Sequence, residues 1–195
     1  MRIVAGKYRG RRLAAPRGRD VRPTSDRVRE AVFDILFDVT NANVLDLYAG
    51  TGALGLEAVS RGAASAVLVE GDRSVYDVTK ANVRSLQLGD DGAKVVVMHA
   101  NAVRALDKME RSGAAFDLIF LDPPYADTLP QLKRIAGPAL AVCAAETTLV
   151  VECPYRQLAD VQHVLGIEWQ ARLVTSRRYG DTAVVIAAIS DSLDQ

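Results

Sequence analysis

The run Asp122-Pro123-Pro124-Tyr125 is the part of this 195-residue chain whose residue types and order most directly suggest chemistry. Proline donates no backbone hydrogen bond and fixes φ near about −65°, so two prolines after the apolar residues 118–121 predict a rigid elbow at a strand end. The Asp122 carboxylate and the Pro123 carbonyl then offer two acceptors to one planar NH2 group, and Tyr125 offers a flat face to the ring that carries it. Holding both hydrogens of an aromatic amine on fixed acceptors favours attack by its nitrogen. The alternative is a plain turn, although turns prefer Gly or Asn beside proline.

A glycine-rich segment earlier in the chain predicts a ligand site. Gly50, Gly52 and Gly55 form the pattern G-x-G-x-x-G between a predicted strand and a predicted helix. Such spacing indicates a tight turn whose backbone a ligand approaches closely, and a dinucleotide site is the first interpretation. Asp46 argues against it, because a carboxylate at the strand end would repel a pyrophosphate. The same carboxylate suits a ligand with an ammonium group, and a tight turn without a ligand is the remaining alternative.

Glu70 closes the next predicted strand, 20 residues after Gly50. An acid at about this separation meets the ribose hydroxyls in such folds, and a carboxylate can accept from both of them. Together with Asp46 and the glycine loop, Glu70 predicts a nucleoside that carries an amino acid, which is S-adenosylmethionine; a single solvated charge is the alternative for Glu70. Asn101 follows the third strand, where its amide is predicted either to bond the adenine edge or to cap the next helix.

An alternation of apolar strands and amphipathic helices must position these side chains. Strands are predicted at residues 44–47, 66–70, 94–98, 118–121 and 148–152, and helices at residues 54–61, 74–86, 102–109 and 129–140. This order is typical of an α/β fold whose parallel sheet is covered on both faces and binds ligands at the carboxyl ends of its strands. A short helix after Pro154 is followed by strands at 168–175 and 182–188, which residues 177–181 join as an antiparallel hairpin. Another helix is predicted to begin at a cap formed by Thr24 or Ser25.

Positive charge is concentrated at the start of the chain. Residues 1–30 contain one lysine and nine arginines against three acids, although the whole chain has no net charge. Such a distribution predicts an acidic partner for the basic end, with nucleic acid the first candidate and a solvated arm the alternative. Glycines and prolines divide residues 2–22 into short strand-like pieces, which predict a basic hairpin or arm.

Several classes of site and compartment are not expected. Cys143 and Cys153 are the only cysteines, and His99 and His163 stand apart from other ligand types, so neither a disulfide framework nor a metal site is predicted. The N-terminus lacks the apolar segment of a signal peptide, and no apolar run approaches the ~20 residues of a membrane span. We therefore expect a cytoplasmic protein without a metal.

Five segments of the chain together resemble one protein family. DLYAGTGALGLEA and LDPPY resemble the amino methyltransferases that use S-adenosylmethionine, and RIVAGKYRGRRL, RPTSDRVREAVFDIL and RRYGDTAVVIA make the chain similar to the RsmD family over roughly residues 2–189. The resemblance implies a Rossmann-like class I methyltransferase with a seven-stranded, mostly parallel sheet, a C-terminal antiparallel hairpin and a small N-terminal basic hairpin. It also implies transfer of methyl to the exocyclic N2 of a guanine in small-subunit 16S ribosomal RNA.

The resemblance and the motifs together predict the site residues and the organisation of the chain. The predicted catalytic residues are Asp122, Pro123 and Tyr125; the predicted cofactor-binding residues are Asp46, Ala49, Gly50, Thr51, Gly52, Glu70, Gly71, Asn101 and Ala102; the predicted RNA-binding residues are Lys7, Arg9, Arg11, Arg12 and Arg22. Many methyltransferases have an acid where Asn101 stands. We predict a basic arm at residues 1–22 and a methyltransferase domain at residues 23–195, acting as a monomer on an assembling small ribosomal subunit.

Three other functions fit part of the sequence. A DNA amino methyltransferase would use the same elbow on adenine N6 or cytosine N4, but it usually needs more sequence to read duplex DNA than RNA in a folded loop requires. An NAD-dependent oxidoreductase would explain the glycine loop and leave the basic end and the elbow unexplained. An RNA-binding protein without activity would explain only the basic end. Methylation at a pyrimidine C5 is disfavoured because it requires a nucleophilic thiol at the target base.

Overall fold

A computed structural model of the chain describes residues 1–16, 26–87 and 93–190. The chain divides into two compact units, Met1–Asn101 and Ala102–Gln195. The helix cap predicted at Thr24 or Ser25, the predicted RNA contact Arg22 and the predicted domain boundary after residue 22 lie outside the described residues. That boundary stays a prediction.

The first unit alternates helices and parallel strands. Its elements are α1 (Asp26–Leu36), β1 (Asn43–Asp46), α2 (Ala53–Ser60), β2 (Ser65–Glu70), α3 (Arg73–Leu86) and β3 (Lys94–His99). β2 lies between β1 and β3 and is parallel to both, with Asp46 opposite Leu68 and Glu70 opposite His99. The carboxyl ends of these strands therefore bring Asp46 and Glu70 to one edge, as the alternating pattern predicted.

The second unit begins with the same alternation and ends in antiparallel strands. Its elements are α4 (Ala102–Arg111), β4 (Phe116–Leu121), α5 (Thr128–Leu140), β5 (Cys143–Pro154), a 3-10 turn (Tyr155–Gln157), α6 (Leu158–Ile167), β6 (Arg172–Tyr179) and β7 (Thr182–Ser190). β4 is parallel to β5, whereas β7 is antiparallel to both β5 and β6. The strand order is β3-β2-β1 in the first unit and β4-β5-β7-β6 in the second. The predicted seven-stranded, mostly parallel sheet with a C-terminal hairpin is confirmed.

The predicted start of the sixth strand at residue 168 is wrong. Glu168 follows the last turn of α6, and β6 begins only at Arg172. Trp169 between them is fully buried, and its indole N–H donates to the Leu132 carbonyl at 3.1 Å. This buried anchor holds the chain in a turn where the apolar pattern alone suggested a strand.

The connection predicted over residues 177–181 is shorter than expected. Arg177, Arg178 and Tyr179 belong to β6, and only Gly180 and Asp181 form the turn before Thr182. Gly180 has φ +64, and glycine at the first position is what a two-residue turn with positive φ there favours. The strand predicted to end at residue 175 therefore continues for four more residues, to Tyr179, and carries two arginines to the tip of the hairpin.

The described N-terminal segment forms a small hairpin that packs on α2. Arg2 and Arg12 form an antiparallel bridge, and Ile3, Tyr8 and Leu13 are buried. Gly6 has φ +77, and a Cβ atom there would lie 1.8 Å from the Ser60 carbonyl oxygen. The segment therefore approaches α2 too closely for any side chain at this position, and a hairpin is confirmed within residues 1–16, the described part of the predicted N-terminal hairpin.

Glu57 on α2 joins this segment to the rest of the first unit. Its carboxylate accepts the backbone N–H groups of Val4 at 2.7 Å and Ala5 at 2.8 Å, and it pairs with Arg29 at 3.4 Å and Arg61 at 3.0 Å. The Arg29 and Glu57 side chains are fully buried. Removing one partner of such a pair leaves an uncompensated charge in the interior.

We expect Glu57→Ala to lower the free energy of unfolding by about 3–5 kcal/mol, because Arg29 would keep only the partly exposed Asp26 as a counter-charge and the Val4 and Ala5 N–H groups would lose their acceptor. Urea unfolding of the full chain measures the change. The exposed pair Arg73–Asp77, at 3.4 Å, provides the control, and Asp77→Ala should cost less than about 1 kcal/mol. Equal unfolding midpoints for the two variants would contradict a structural role for Glu57.

Two features of the residues that the structure describes bear on function. None of the helices in the described ranges has the length and apolar character that a membrane crossing requires. Among the same residues, no three His, Cys, Asp or Glu side chains come together in a way that could hold a metal ion.

Candidate functional site

The glycine loop connects β1 to α2 in a conformation that requires glycine. Gly50 and Gly52 have φ values of +54 and +82, in the left-handed region. A Cβ atom at Gly55 would lie 2.2 Å from the Leu68 Cδ2 atom of β2, so this position lets α2 pack directly on the strand. The Ala49 N–H donates to the Val69 carbonyl at 2.9 Å, and the Gly52 N–H donates to the Ala49 carbonyl at 2.7 Å. The loop is therefore a fixed turn at the end of β1.

Asp46 lies beneath this loop with one carboxylate oxygen unsatisfied. Its side chain is buried, and Oδ2 accepts the Gly55 N–H at 3.1 Å. Oδ1 is buried too, and no described residue gives it a hydrogen bond. Burial raises the pKa of Asp46 to about 7; the Gly55 hydrogen bond opposes the rise and the charge of Glu70 adds to it. Because buried acceptors are normally paired, Oδ1 is a fitting partner for a donor on a ligand.

Glu70 holds the loop from the end of β2. Its Oε2 accepts the Gly50 N–H at 3.0 Å, and its Oε1 accepts the Asp72 N–H at 2.7 Å. Asp72 in turn caps α3 by accepting the backbone N–H groups of Ser74 and Val75. A carboxylate has about four lone-pair sites, so Glu70 retains acceptor capacity for the hydroxyl groups of a ligand. Between these acids, the Gly71 carbonyl lies 3.2 Å from Nε2 of His99.

Sequence reasoning missed two residues of α3 that support the loop from behind. Thr79 donates to the Gly50 carbonyl, and the Asn82 amide donates to the Thr51 carbonyl at 2.9 Å. Both side chains are buried on the same face as Val75 and Leu86. A threonine and an asparagine at core positions of an amphipathic helix were the available signal, because buried polar groups need partners.

Asn101 and Ala102 follow β3 where the sequence placed them. The Ala100 N–H donates to the Glu70 carbonyl at 3.1 Å, which brings the end of β3 beside that of β2. Asn101 is exposed, and Ala102 is buried as the first residue of α4. The predicted contact of Asn101 with an adenine stays a prediction.

The elbow at residues 122–125 follows β4 directly. Pro123 is buried and Pro124 exposed. The Asp127 N–H donates to the Pro124 carbonyl at 2.8 Å, and the Thr128 hydroxyl lies 3.4 Å from the same oxygen. These hydrogen bonds close the turn by using the Pro124 carbonyl as acceptor. They do not use the Pro123 carbonyl, which is the one predicted from the sequence to accept a hydrogen bond from an amine.

Tyr125 is held by two residues from neighbouring strands. Its hydroxyl lies 2.5 Å from Oγ1 of Thr182 and donates to Glu152 at 3.2 Å. Burial is the main reason that the pKa of Tyr125 rises to about 12; the Thr182 hydroxyl lowers it, and the charges of Glu152 and Asp122 raise it further. The phenol is therefore neutral near pH 7. Its hydrogen bonds fix the ring, and it is unsuited to act as a base there.

Sequence reasoning did not assign Glu152 or Thr182 to the site. Glu152 was placed at the end of a predicted strand, which is the position from which such sheets supply ligand contacts. That placement was the signal. Thr182 gave none, because its contact with Tyr125 spans 57 residues.

Cys153 is not suited to covalent catalysis. It is fully buried, and burial together with the charges of Glu152 and Asp122 raises its pKa to about 12. The thiolate is the nucleophilic form of cysteine. This side chain is therefore a neutral core thiol at physiological pH, in keeping with its predicted structural role.

The N-terminal hairpin presents its basic residues to solvent. Lys7, Arg9, Arg11 and Arg12 are all exposed, while the apolar residues between them are buried. Arg9, Arg11 and Arg12 form no ion pair with any residue that the structure describes. Their charges are available to an acidic partner.

Comparison with known proteins supports a common family. A family model described as "Conserved hypothetical protein 95" matches residues 1–188. The chain is 44% identical over 126 residues to the ribosomal RNA small subunit methyltransferase D of Escherichia coli K12, covering 64% of this chain and 60% of that protein. It is 38% identical over 130 residues to the putative rRNA methyltransferase YlbH of Bacillus subtilis, covering 65% of this chain and 68% of that protein. The alignment with the Escherichia coli protein thus spans less than two thirds of that relative.

A solved structure matches at the level of the whole fold. The putative methyltransferase yhhF from Escherichia coli superposes with a TM-score of 0.77 and 32% identity, over 97% of this chain and 98% of that one. The predicted Rossmann-like class I methyltransferase fold is confirmed. Because the family model covers nearly the whole chain, the protein belongs to the Conserved hypothetical protein 95 family, which is the RsmD family that its motifs resemble.

Proposed function

We propose that this protein transfers a methyl group from S-adenosylmethionine to the exocyclic N2 of a guanine in 16S ribosomal RNA. The observation that carries the proposal is the buried Asp46 carboxylate, whose Oδ1 has no partner among the described residues, beneath a glycine loop that Glu70 holds. An ammonium group satisfies such an oxygen, whereas a pyrophosphate would be repelled by it. The names of the relatives from Escherichia coli and Bacillus subtilis support ribosomal RNA as the substrate.

Each cofactor-binding residue has one task in this proposal. Asp46 accepts a hydrogen bond from the ammonium group of the methionine moiety, and Glu70 accepts hydrogen bonds from the ribose hydroxyls. The loop from Ala49 to Gly52 lets the ligand approach the backbone, and Gly71, Asn101 and Ala102 border the adenine. When bound, S-adenosylmethionine supplies an electrophilic methyl group on a sulfonium. The protein's part is to orient that group and to exclude water from it.

The elbow residues prepare the nucleophile. Asp122 and the Pro123 carbonyl accept the two hydrogens of the guanine amine, which favours a pyramidal nitrogen whose lone pair is directed at the methyl group. The positive charge that develops on nitrogen is stabilised by the carboxylate. Tyr125 stacks on the base, and its hydrogen bonds to Glu152 and Thr182 fix the ring in advance. After transfer, Asp122 is the nearest acceptor for the proton that the nitrogen must lose.

The N-terminal hairpin supplies the general attraction for RNA. Its exposed arginines can neutralise phosphates, a contact that depends on charge and not on sequence. We propose that residues 1–22 act as an RNA-binding arm of a methyltransferase domain over residues 23–195. We further propose that the protein acts as a monomer on an assembling small subunit in the cytoplasm.

Replacing Arg9, Arg11 and Arg12 together by alanine should weaken RNA binding and flatten its salt dependence. Each phosphate contact contributes about 0.7–0.9 to the slope of log K against log salt, so the slope should fall by about 2–3 if all three contact phosphate. Fluorescence titration with a labelled RNA hairpin at several salt concentrations measures it. Replacing the exposed Lys108, Arg111 and Lys133 together removes the same charge from α4 and α5 and is the control. An unchanged slope for the arginine variant would argue against the arm.

The proposed activity is tested by incubating the protein and labelled S-adenosylmethionine with small-subunit particles from cells that lack the enzyme. Label should appear at one guanine N2 of the RNA, and mapping of methylation across the RNA identifies the nucleotide. Calorimetry should show binding of S-adenosylmethionine and none of NAD. Transfer to DNA in place of RNA, or binding of NAD alone, would refute the proposal.

A further inference from the structure

An aromatic ring and a guanidinium group stack on the surface of the second unit. The Cζ atom of Arg178, near the end of β6, lies 3.9 Å from the centroid of the Tyr155 ring, directly after β5. Arg178 is exposed, and Tyr155 is 40% exposed although it is a large aromatic side chain. Neither residue has a role in the reaction described above, so the function of this exposed pair is not explained by that reaction.

Hydrogen bonds of the hairpin turn fix the position of this pair. The Arg178 Nε–H donates to the Gly180 carbonyl at 2.8 Å, and the Tyr155 backbone N–H donates to the Asp181 carbonyl at 2.8 Å. Arg178 forms no ion pair with any of the described residues, so its two Nη groups keep their donors for an external acceptor. A prepositioned guanidinium loses little entropy when it binds phosphate.

The same turn leads directly to the residue that positions Tyr125. Thr182 follows Asp181, pairs with Pro154 across the β5–β7 ladder and lies 2.5 Å from the Tyr125 hydroxyl. Tyr155 is the next residue after Pro154. The Pro154–Thr182 pairing therefore connects the Tyr155–Arg178 stack to Tyr125, the residue proposed to hold the target base.

The chemistry of this hairpin tip fits RNA. Residues 155–157 and 177–181 contain three arginines, Arg156, Arg177 and Arg178, against the single acid Asp181. All three arginines are exposed; Arg156 follows Tyr155, and Arg178 precedes Tyr179. Aromatic and guanidinium planes stack with bases of unpaired nucleotides, and arginine binds phosphates. Binding of an apolar protein surface would not be favoured by this surplus of positive charge.

We propose that the Tyr155–Arg178 stack binds the RNA strand next to the target guanine, with Arg178 on a backbone phosphate and Tyr155 on a neighbouring base. This inference rests on the proposed function, because it takes Tyr125 to hold the target. It adds a second RNA contact, separate from the N-terminal hairpin, that sets the strand at the catalytic elbow.

Four variants of the full chain, two of them controls, test it. Tyr155→Ala should raise the KM for undermethylated small-subunit particles by about fivefold or more, the loss expected for one stacked base, with little change in kcat. Tyr155→Phe keeps the ring and should behave as the wild type. Arg178→Gln keeps much of the side-chain length and should lower the salt slope for a labelled RNA hairpin with an unpaired loop by about 0.7. Arg172→Gln, at the opposite end of β6, is the matched control and should change neither quantity.

The results separate this inference from the proposed function. Thermal unfolding and binding of S-adenosylmethionine should match the wild type in all four variants, which excludes a general loss of folding. Unchanged KM and salt slope in Tyr155→Ala and Arg178→Gln, in a protein that does methylate particles, would overturn the inference alone. Weaker binding to particles without weaker binding to the RNA hairpin would mean a protein contact and would overturn it as well. If the wild type methylates no RNA, the proposed function fails, and the salt slopes still decide whether the stack binds RNA.

Discussion

Asp122→Ala should reduce kcat for methyl transfer by about 10²–10³-fold, the loss typical when one group that stabilises developing charge is removed. The variant loses the only charged acceptor of the elbow, so the amine keeps its lone pair in the ring and the charge on nitrogen is not compensated. The dissociation constant of S-adenosylmethionine should stay within about twofold of the wild-type value. Single-turnover transfer to undermethylated particles and calorimetry measure the two quantities.

Asp127→Ala is the matched control for this substitution. Asp127 lies in the same turn, is exposed and makes no side-chain hydrogen bond to cap α5. Its removal should leave kcat unchanged. Asp122→Asn retains one carbonyl oxygen and should fall between Asp122→Ala and the wild type. Normal turnover in Asp122→Ala would refute the role assigned to this carboxylate.

The parallel part of the fold follows from local patterns. Apolar runs and amphipathic repeats alternate from residue 44 onward, and the observed strands β1 to β4 lie within two residues of the predicted positions. The elements at the carboxyl ends of these strands also carry the chemically informative residues, Asp46, Glu70 and Asp122. Sequence patterns work here because each element is set by its own periodicity, and the pairs β1–β2, β2–β3 and β4–β5 are all parallel.

The bounds of the C-terminal strands were harder to predict because a contact between residues far apart in the sequence determines them. Trp169 turns the chain toward the Leu132 carbonyl, 37 residues away, and this delays the start of β6. The two-residue turn at Gly180 then lets Arg178 remain in the strand. Sequence periodicity predicts neither of these two features, because an apolar run has the same pattern in a strand and in a buried turn.

The supporting residues of the candidate site were missed for the same reason. Thr79 and Asn82 act on the glycine loop from about 30 residues away, and Glu152 and Thr182 act on Tyr125 from 27 and 57 residues away. Motifs mark groups that would touch a ligand, because those groups have unusual types and spacings. Residues that hold such groups in position are ordinary strand and helix residues, and only tertiary packing identifies them.

Asp46→Asn should weaken binding of S-adenosylmethionine by about 10–100-fold at pH 8, because a hydrogen bond to a charged group contributes roughly 1.5–3 kcal/mol.

The same variant should be no less stable than the wild type. The pKa of Asp46 is raised to about 7 by burial, so the folded state holds a proton that the unfolded state releases near pH 4. Wild-type stability therefore loses a contribution as pH rises from about 4 to 7, and the amide does not.

The pH dependence of cofactor binding tests the same carboxylate independently. An ammonium ligand binds the ionised form of Asp46, so wild-type affinity should be greatest above pH 7 and fall as pH decreases, by at most about tenfold per unit. Asp46→Asn should lack this dependence, whereas Asp77→Asn, at an exposed position of α3, should retain it. Calorimetric titration between pH 5.5 and 8.5, a range chosen to span about 1.5 units on either side of the midpoint, measures all three proteins. A wild-type affinity that does not change with pH, together with full binding by Asp46→Asn, would mean that the buried oxygen does not receive the ammonium group.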